Sequence, residues 1–332
     1  MKHGFLRVAT AQPLLKVGDC QYNAERISEL IDRCVDQDVD VVLFPELSLT
    51  GGSCGELLYS GVLLDAAMRE LATLVLSTRG SNTIVIVGLP IKSGVEVCSS
   101  AAVIYNGQLI GIANGANAIF STPNFKFGVE IGASANGVIP ASTVLAANGA
   151  DVIFGLDSSP VIVGSFKRKC AAIEEQCRRL SMGYIYSNSG FGESTTKYAY
   201  IASGAICDCG VMLASEMSLN YEPMLQISEV DIEQIRYSRM VNSERWASAE
   251  VLQGGVSEIE IEHQWSDDFN LSRKYPVNPF IPTDQSELDA RCREIFEIAQ
   301  DIQKSGIDAR ISDNIKRDAF QKYSYIAPMA AC

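Results

Sequence analysis

The sequence predicts an α/β layered fold that contains antiparallel strand pairs, and two observations lead there. Over the first two-thirds of the 332 residues, short apolar runs alternate with amphipathic helical patterns. Two hairpin signals, at Asn106-Gly107 and Asp208-Cys209-Gly210, break into that alternation. Hairpins set among βα units fit an αββα sandwich better than a purely parallel sheet. The chain is 47% hydrophobic and 20% charged, which is ordinary for a globular protein, and long enough for a sizeable core.

Residues 5–11 read as a first strand. A helix over 22–35 follows, with Ile27, Leu30, Ile31 and Cys34 on one face. Residues 41–44 form a buried strand, 63–76 the next helix and 84–88 a third strand bounded by Asn82 and Pro90. The first hairpin joins 101–105 to 108–112, and the second joins 199–206 to 211–214. Beyond residue 245 the character changes. Gly254-Gly255, the acidic run 258–262 and Pro276-Val-Asn-Pro-Phe-Ile-Pro282 read as a linker, and a helix starts at Ser286. The division expected is a domain over 1–245, a linker over 246–285 and a helical tail over 286–332.

A formal charge of −13 argues against nucleic acid or an anionic membrane as partner, since both select basic surface. With His3 and His263 as the two histidines, histidine-based acid/base and metal chemistry is largely removed, and no cofactor is expected. Ten scattered cysteines and the lack of a signal-type N-terminus suggest a cytoplasmic protein with reduced thiols. Cys207 and Cys209 could be half a metal site, but without a second pair they are read as a hairpin turn.

The chemistry is concentrated at two strand ends. Asp40-Val-Val-Leu-Phe-Pro-Glu-Leu-Ser-Leu-Thr-Gly51 leaves a buried strand on a carboxylate, and Phe125-Lys-Phe-Gly-Val-Glu-Ile-Gly132 runs a second strand into a glycine. With Tyr184-Ile-Tyr-Ser-Asn-Ser-Gly-Phe-Gly-Glu-Ser-Thr-Thr196, these segments resemble the nitrilase (carbon–nitrogen hydrolase) superfamily. Within it they resemble the glutamine-hydrolysing domain of glutamine-dependent NAD synthetase, and the likeness covers about residues 4–300. It implies a four-layer αββα sandwich and a glutamate–lysine–cysteine site. A thiolate there attacks the carboxamide, a glutamate moves the proton and a lysine ammonium stabilises the oxyanion.

By that resemblance Glu46 holds the place of the base and Gly132 the place of the nucleophile, on neighbouring central strands. No lysine stands between Lys92 and Lys126, where the family carries its catalytic lysine loop. Three pocket positions are altered or stripped as well. Gly52 stands where an aromatic residue is common, and Ser159-Pro-Val-Ile-Val-Gly164 is followed by Ser165 instead of a basic residue. The reading is a degenerate site in an assembly, regulatory or ligand-binding relative, with a homo-oligomer or a synthetase-type chain as partner. No S-G-G-x-D-S phosphate loop of a synthetase domain occurs in the chain.

Two rival readings keep activity: a carbon–nitrogen hydrolase with its nucleophile moved to Cys54 or Ser134, and the amidase-like subunit of a split NAD synthetase. Cys54 is otherwise a small buried residue, and Ser134 has no histidine to activate it. Glu193 to Thr196 are read as satisfying backbone groups in a tight turn. Lys167-Arg-Lys169 and Arg178-Arg179 are read as a solvated or subunit-facing helix edge, and Cys332 as a frayed terminal thiol.

Overall fold

Six strands and then seven assemble into two stacked sheets, each covered on its outer face by helices. The computed structural model describes residues 4–263, 270–273, 275, 281–282 and 284–305. Cys332 and residues 276–280 of the expected linker lie outside them. The chain divides into two compact units, Met1–Ser272 and Arg273–Cys332.

In the first unit the elements follow in order: β1 (Phe5–Gln12), α1 (Cys20–Val35), β2 (Val41–Leu43), α2 (Gly61–Ser77), β3 (Ile84–Ser93), β4 (Glu96–Tyr105) and β5 (Gln108–Ala113). Then come β6 (Ala118–Ser121), β7 (Lys126–Ile131), α3 (Ala141–Ala147), β8 (Val152–Asp157), α4 (Ser165–Leu180) and β9 (Gly183–Asn188). Finally β10 (Ser203–Asp208), β11 (Val211–Met217), β12 (Met224–Asp231), α5 (Ile232–Val241) and β13 (Ser257–Glu260) complete it. The first sheet runs β12-β1-β2-β3-β4-β5 and the second β11-β10-β9-β8-β7-β6-β13. In each, three central strands are parallel (β1-β2-β3 and β7-β8-β9), as βαβ crossovers require. The flanking hairpins β4/β5 and β10/β11 are antiparallel. Their two-residue turns place Asn106-Gly107 and Cys209-Gly210 at positive φ, the twist that hairpins of this length favour.

Strand alternation sorts the apolar side chains into three cores. Leu6, Val8, Leu43 and Ile86 of the first sheet meet Phe127, Val129, Phe154 and Ile185 of the second between the sheets. Val42, Phe44 and Val85 face α1 and α2, where Ile27, Leu30, Ile31 and Cys34 are buried as the helical spacing predicts. Ile153, Tyr184 and Cys207 face α3 and α4. This is the expected four-layer αββα sandwich.

The stretch expected to begin a linker at 246 is partly ordered into the first unit. A 3₁₀ segment spans Ser243–Leu252, and β13 pairs in parallel with β6. In the second unit α6 (Gln285–Lys304) starts one residue before Ser286, and its cap is Asp284, whose Oδ1 accepts from Glu287 N at 2.9 Å. Among the described residues no helix is long and apolar enough to cross a membrane, and no group of three or more His, Cys, Asp or Glu side chains could hold a metal ion.

One buried carboxylate ties the first two strands together. Asp40 Oδ2 accepts from Arg7 N at 2.9 Å, and Asp40 N donates to Arg7 O at 2.9 Å. Burial pushes the Asp40 carboxyl up to about 7, against the pull of Arg7, while Asp38 adds to the rise. The folded state therefore binds a proton that the unfolded chain releases near pH 4. The stabilisation from that proton is complete below pH 4 and is lost as the pH rises through about 7. Asp40→Asn should flatten the Tm-against-pH curve across that window; an unchanged slope in thermal melts would contradict this.

Candidate active site

Glu46 is placed by the chain's exit from β2. After Phe44-Pro45 the backbone turns, with Leu47 at φ +52°, and Gly51 N closes the turn on Leu47 O at 2.7 Å. The turn lies directly on β3 at Gly88, where a Cβ would collide with Pro45 O. Leu49 N then donates to Gly88 O at 3.1 Å, and Glu46 N reaches the other sheet at Asp157 O, 3.3 Å away.

Gly132 is the first residue past β7, at φ +44°, and leads into a 3₁₀ turn, Gly132–Asn136. A strand, a residue at positive φ and a helical turn make the sharp elbow that exposes a nucleophile in other hydrolase folds. Here the elbow carries no side chain. A Cβ built on Gly132 would stand 2.5 Å from Glu46 Oε2 and 3.0 Å from Oε1, so the carboxylate fills that space. The two positions meet as the sequence predicts, but not on neighbouring strands. β2 and β7 belong to different sheets, and the pair faces across the end of the sandwich. Strand-end motifs cannot reveal which sheet a strand joins.

The electrostatics are those of a buried acid cluster. Burial raises the Glu46 carboxyl above its ordinary range and Asp157 raises it further, while Ser99 and the Ser158 amide pull the other way. Asp157 ends β8 as Glu46 ends its own strand segment. Its Oδ2 accepts from Tyr186 OH at 2.9 Å and pairs with Lys169 Nζ at 3.4 Å, and its Oδ1 accepts from Ser159 Oγ. Lys169 was expected on a solvated or subunit-facing edge; its side chain is instead three-quarters buried and points at the site. Sequence reasoning missed Asp157, Lys169 and Tyr186. The carboxylate closing an apolar strand was the available signal for Asp157, but nothing in helix periodicity tells that Lys169 reaches inward from α4.

The remaining positions are used structurally. Ser159 N donates to Asn188 Oδ1 at 2.8 Å, and Ser165 Oγ accepts from Ile162 N at 3.2 Å at the start of α4. A Cβ on Gly52 would collide with Ser158 Oγ, so an aromatic side chain there needs a rearranged neighbour. Glu193 holds the same loop: its carboxylate accepts from Gly52 N at 2.7 Å, from Ser53 N at 2.9 Å and from the Ser53 hydroxyl. It thus satisfies backbone groups of a distant loop as well as of its own turn. Cys54 is buried, donates to Thr50 O at 3.0 Å, and is pushed up to about 11 by burial and then by Glu193. Ser134 Oγ donates to Ile131 O at 2.8 Å and accepts from Ile131 N at 3.1 Å, capping its own turn. The chain crosses from β5 to β6, and so between the sheets, in residues 114–117.

Comparison with known proteins places this geometry. The carbon–nitrogen hydrolase family matches residues 7–121. The glutamine-dependent NAD(+) synthetase of Mycobacterium bovis is 26% identical over 352 residues, covering 93% of this chain and 51% of the relative. The chain thus spans about half the length of the curated relatives it matches along most of its length. The glutamine-dependent NAD+ synthetase of Acinetobacter baumannii, solved with ADP, superposes with a TM-score of 0.63 at 22% identity, over 70% of this chain and 46% of that one. An amidase from Nesterenkonia sp. superposes with a TM-score of 0.59 at 16% identity, over 74% of this chain and 98% of that one. The chain therefore contains a carbon–nitrogen hydrolase domain of nitrilase fold and is homologous to the glutaminase domain of glutamine-dependent NAD synthetase.

Proposed function

We propose that this chain is a catalytically silent glutaminase-like domain, kept for assembly, regulation or ligand binding rather than for amide hydrolysis. The observation that carries this reading is the Glu46–Gly132 juxtaposition: the base's carboxylate stands where a nucleophile's side chain would begin, and residue 132 has none. The Nesterenkonia amidase forms a covalent adduct at an active-site cysteine; no thiol at 132 can do so here. Cys54 and Ser134 are poor replacements, one held as a thiol by burial and the other committed to its own backbone. Lys169 does not replace a free oxyanion donor, because Asp157 already neutralises it.

The test is ammonia release from glutamine, with a thermal shift recorded in parallel. Loss of one oxyanion donor alone costs on the order of 10²–10³ in rate, and loss of the thiolate removes the covalent route. Release should match the buffer control, and Glu46→Gln should leave it unchanged. Ammonia release that Glu46→Gln abolishes would overturn the reading.

Homology to half of a longer synthetase favours a second reading, in which the domain gives structure to a separate ATP-dependent chain. Co-purification with a chain bearing S-G-G-x-D-S would support it, and a purely homo-oligomeric complex would not.

A further inference from the structure

A second cavity lies on the outer face of the second sheet, lined by none of the residues discussed above as catalytic or pocket positions. It has a volume of about 410 Å³, and its walls come from α3 (Thr143, Ala147), the end of α4 (Arg179, Leu180) and the 3₁₀ segment (Arg245, Trp246, Ala249, Leu252). Two guanidinium groups line it and no carboxylate does, in a chain of net charge −13. Thr143 Oγ1 already accepts from Gln176 Nε2 at 3.0 Å, which leaves its O–H to donate. Arg245 makes no side-chain hydrogen bond or ion pair to another described residue, and one Arg179 nitrogen is given to Gln176 Oε1 at 2.6 Å.

The cavity is also held in shape. Asn148 Nδ2 donates to Leu252 O at 2.8 Å and Asn148 Oδ1 accepts from Gly254 N at 2.8 Å, fastening the 3₁₀ wall to the end of α3. Arg239 lies over the Trp246 ring, 5.3 Å from its centroid. That guanidinium is itself fixed by Ser181 O at 2.9 Å and Ala150 O at 2.7 Å. Trp246 is therefore a positioned platform rather than a free surface side chain.

We propose that this cavity binds a small planar aromatic anion, its ring against Trp246 and its phosphate or carboxylate between Arg179 and Arg245. The volume falls in the range of small-molecule sites. A lining of donors without acceptors selects for negative charge, and guanidinium forks suit phosphate and carboxylate alike. The aromatic wall adds selectivity for a ring, so neither half of the ligand should suffice.

The experiment is equilibrium binding, followed by Trp246 fluorescence in a Trp265→Phe background and by calorimetry on the full chain. AMP is the phosphate-bearing probe and indole-3-acetate the carboxylate-bearing one; adenosine and inorganic phosphate are the separated halves. At least one whole probe should bind saturably, more weakly as salt rises, and about tenfold or more tighter than its halves. Which probe binds tells phosphate from carboxylate. Arg245→Gln should weaken binding about tenfold or more. By calorimetry, Trp246→Leu should weaken the whole probe while leaving inorganic phosphate unaffected. Ala249→Trp, which fills the cavity from a different wall, should abolish binding in a protein whose melt is cooperative. The proposal fails if no probe saturates, or if binding survives Arg245→Gln and Ala249→Trp unchanged.

Discussion

Gly132→Cys should become alkylated at residue 132 by iodoacetamide and still release no ammonia from glutamine above the parent protein. The new Cβ would stand 2.5 Å from Glu46 Oε2, so the flexible carboxylate must swing aside and the thiol is left beside a proton acceptor. Some thiolate fraction is all that alkylation requires. Turnover requires more. The tetrahedral intermediate carries a full negative charge, and residues 114–117 bring no lysine to it. The nearby Lys169 is held by Asp157, whose charge it already balances. The substitution also imposes a left-handed backbone on a residue with a side chain, at φ +44°, costing about 1–2 kcal/mol of stability. Peptide mass spectrometry reads the alkylation and a coupled ammonia assay the turnover. Substantial turnover would mean that silence rests on one missing side chain rather than on loss of the whole constellation.

Glu193→Ala should lower stability by about 3 kcal/mol, because two buried N–H groups and one hydroxyl lose an ionised acceptor together. These are Gly52 N, Ser53 N and Ser53 Oγ, and Ser194 N depends on the same Ser53 hydroxyl at 2.7 Å. For a domain of this size that corresponds to a fall in Tm of about 6–12 °C. Glu193→Gln keeps one acceptor and should recover part of the loss. Thermal melts of both variants check this: an alanine variant as stable as the parent would show that the loop beside Gly52 is held by something else. The consequence reaches the site, since Ser53 and Gly52 follow directly on the turn that positions Glu46.

Much of the architecture lies in local patterns. The 3.6-residue spacing of Ile27, Leu30, Ile31 and Cys34 requires one buried helix face, and all four are buried. Asn106-Gly107 requires a tight hairpin, and strand apolarity marks β1, β2 and β3. Each of these signals is set by the residues' own neighbours along the chain, so it can be read without a fold. The acid at position 46, the bare glycine at 132 and the missing lysine are likewise matters of residue identity. What the chain alone left undecided depends on which surfaces pack together. Sheet membership put Glu46 against Gly132 across two sheets instead of along one. The packing of α4 turned Lys169 inward onto Asp157 while leaving Arg178 at the surface, though both belong to basic clusters on the same helix. Trp246 lies in a segment expected to be linker, and only its packing on α3 and α4 encloses a cavity with Arg179. Side-chain periodicity fixes a face relative to its own helix or strand, whereas the partner of that face is set by contacts between residues scores to hundreds of positions apart.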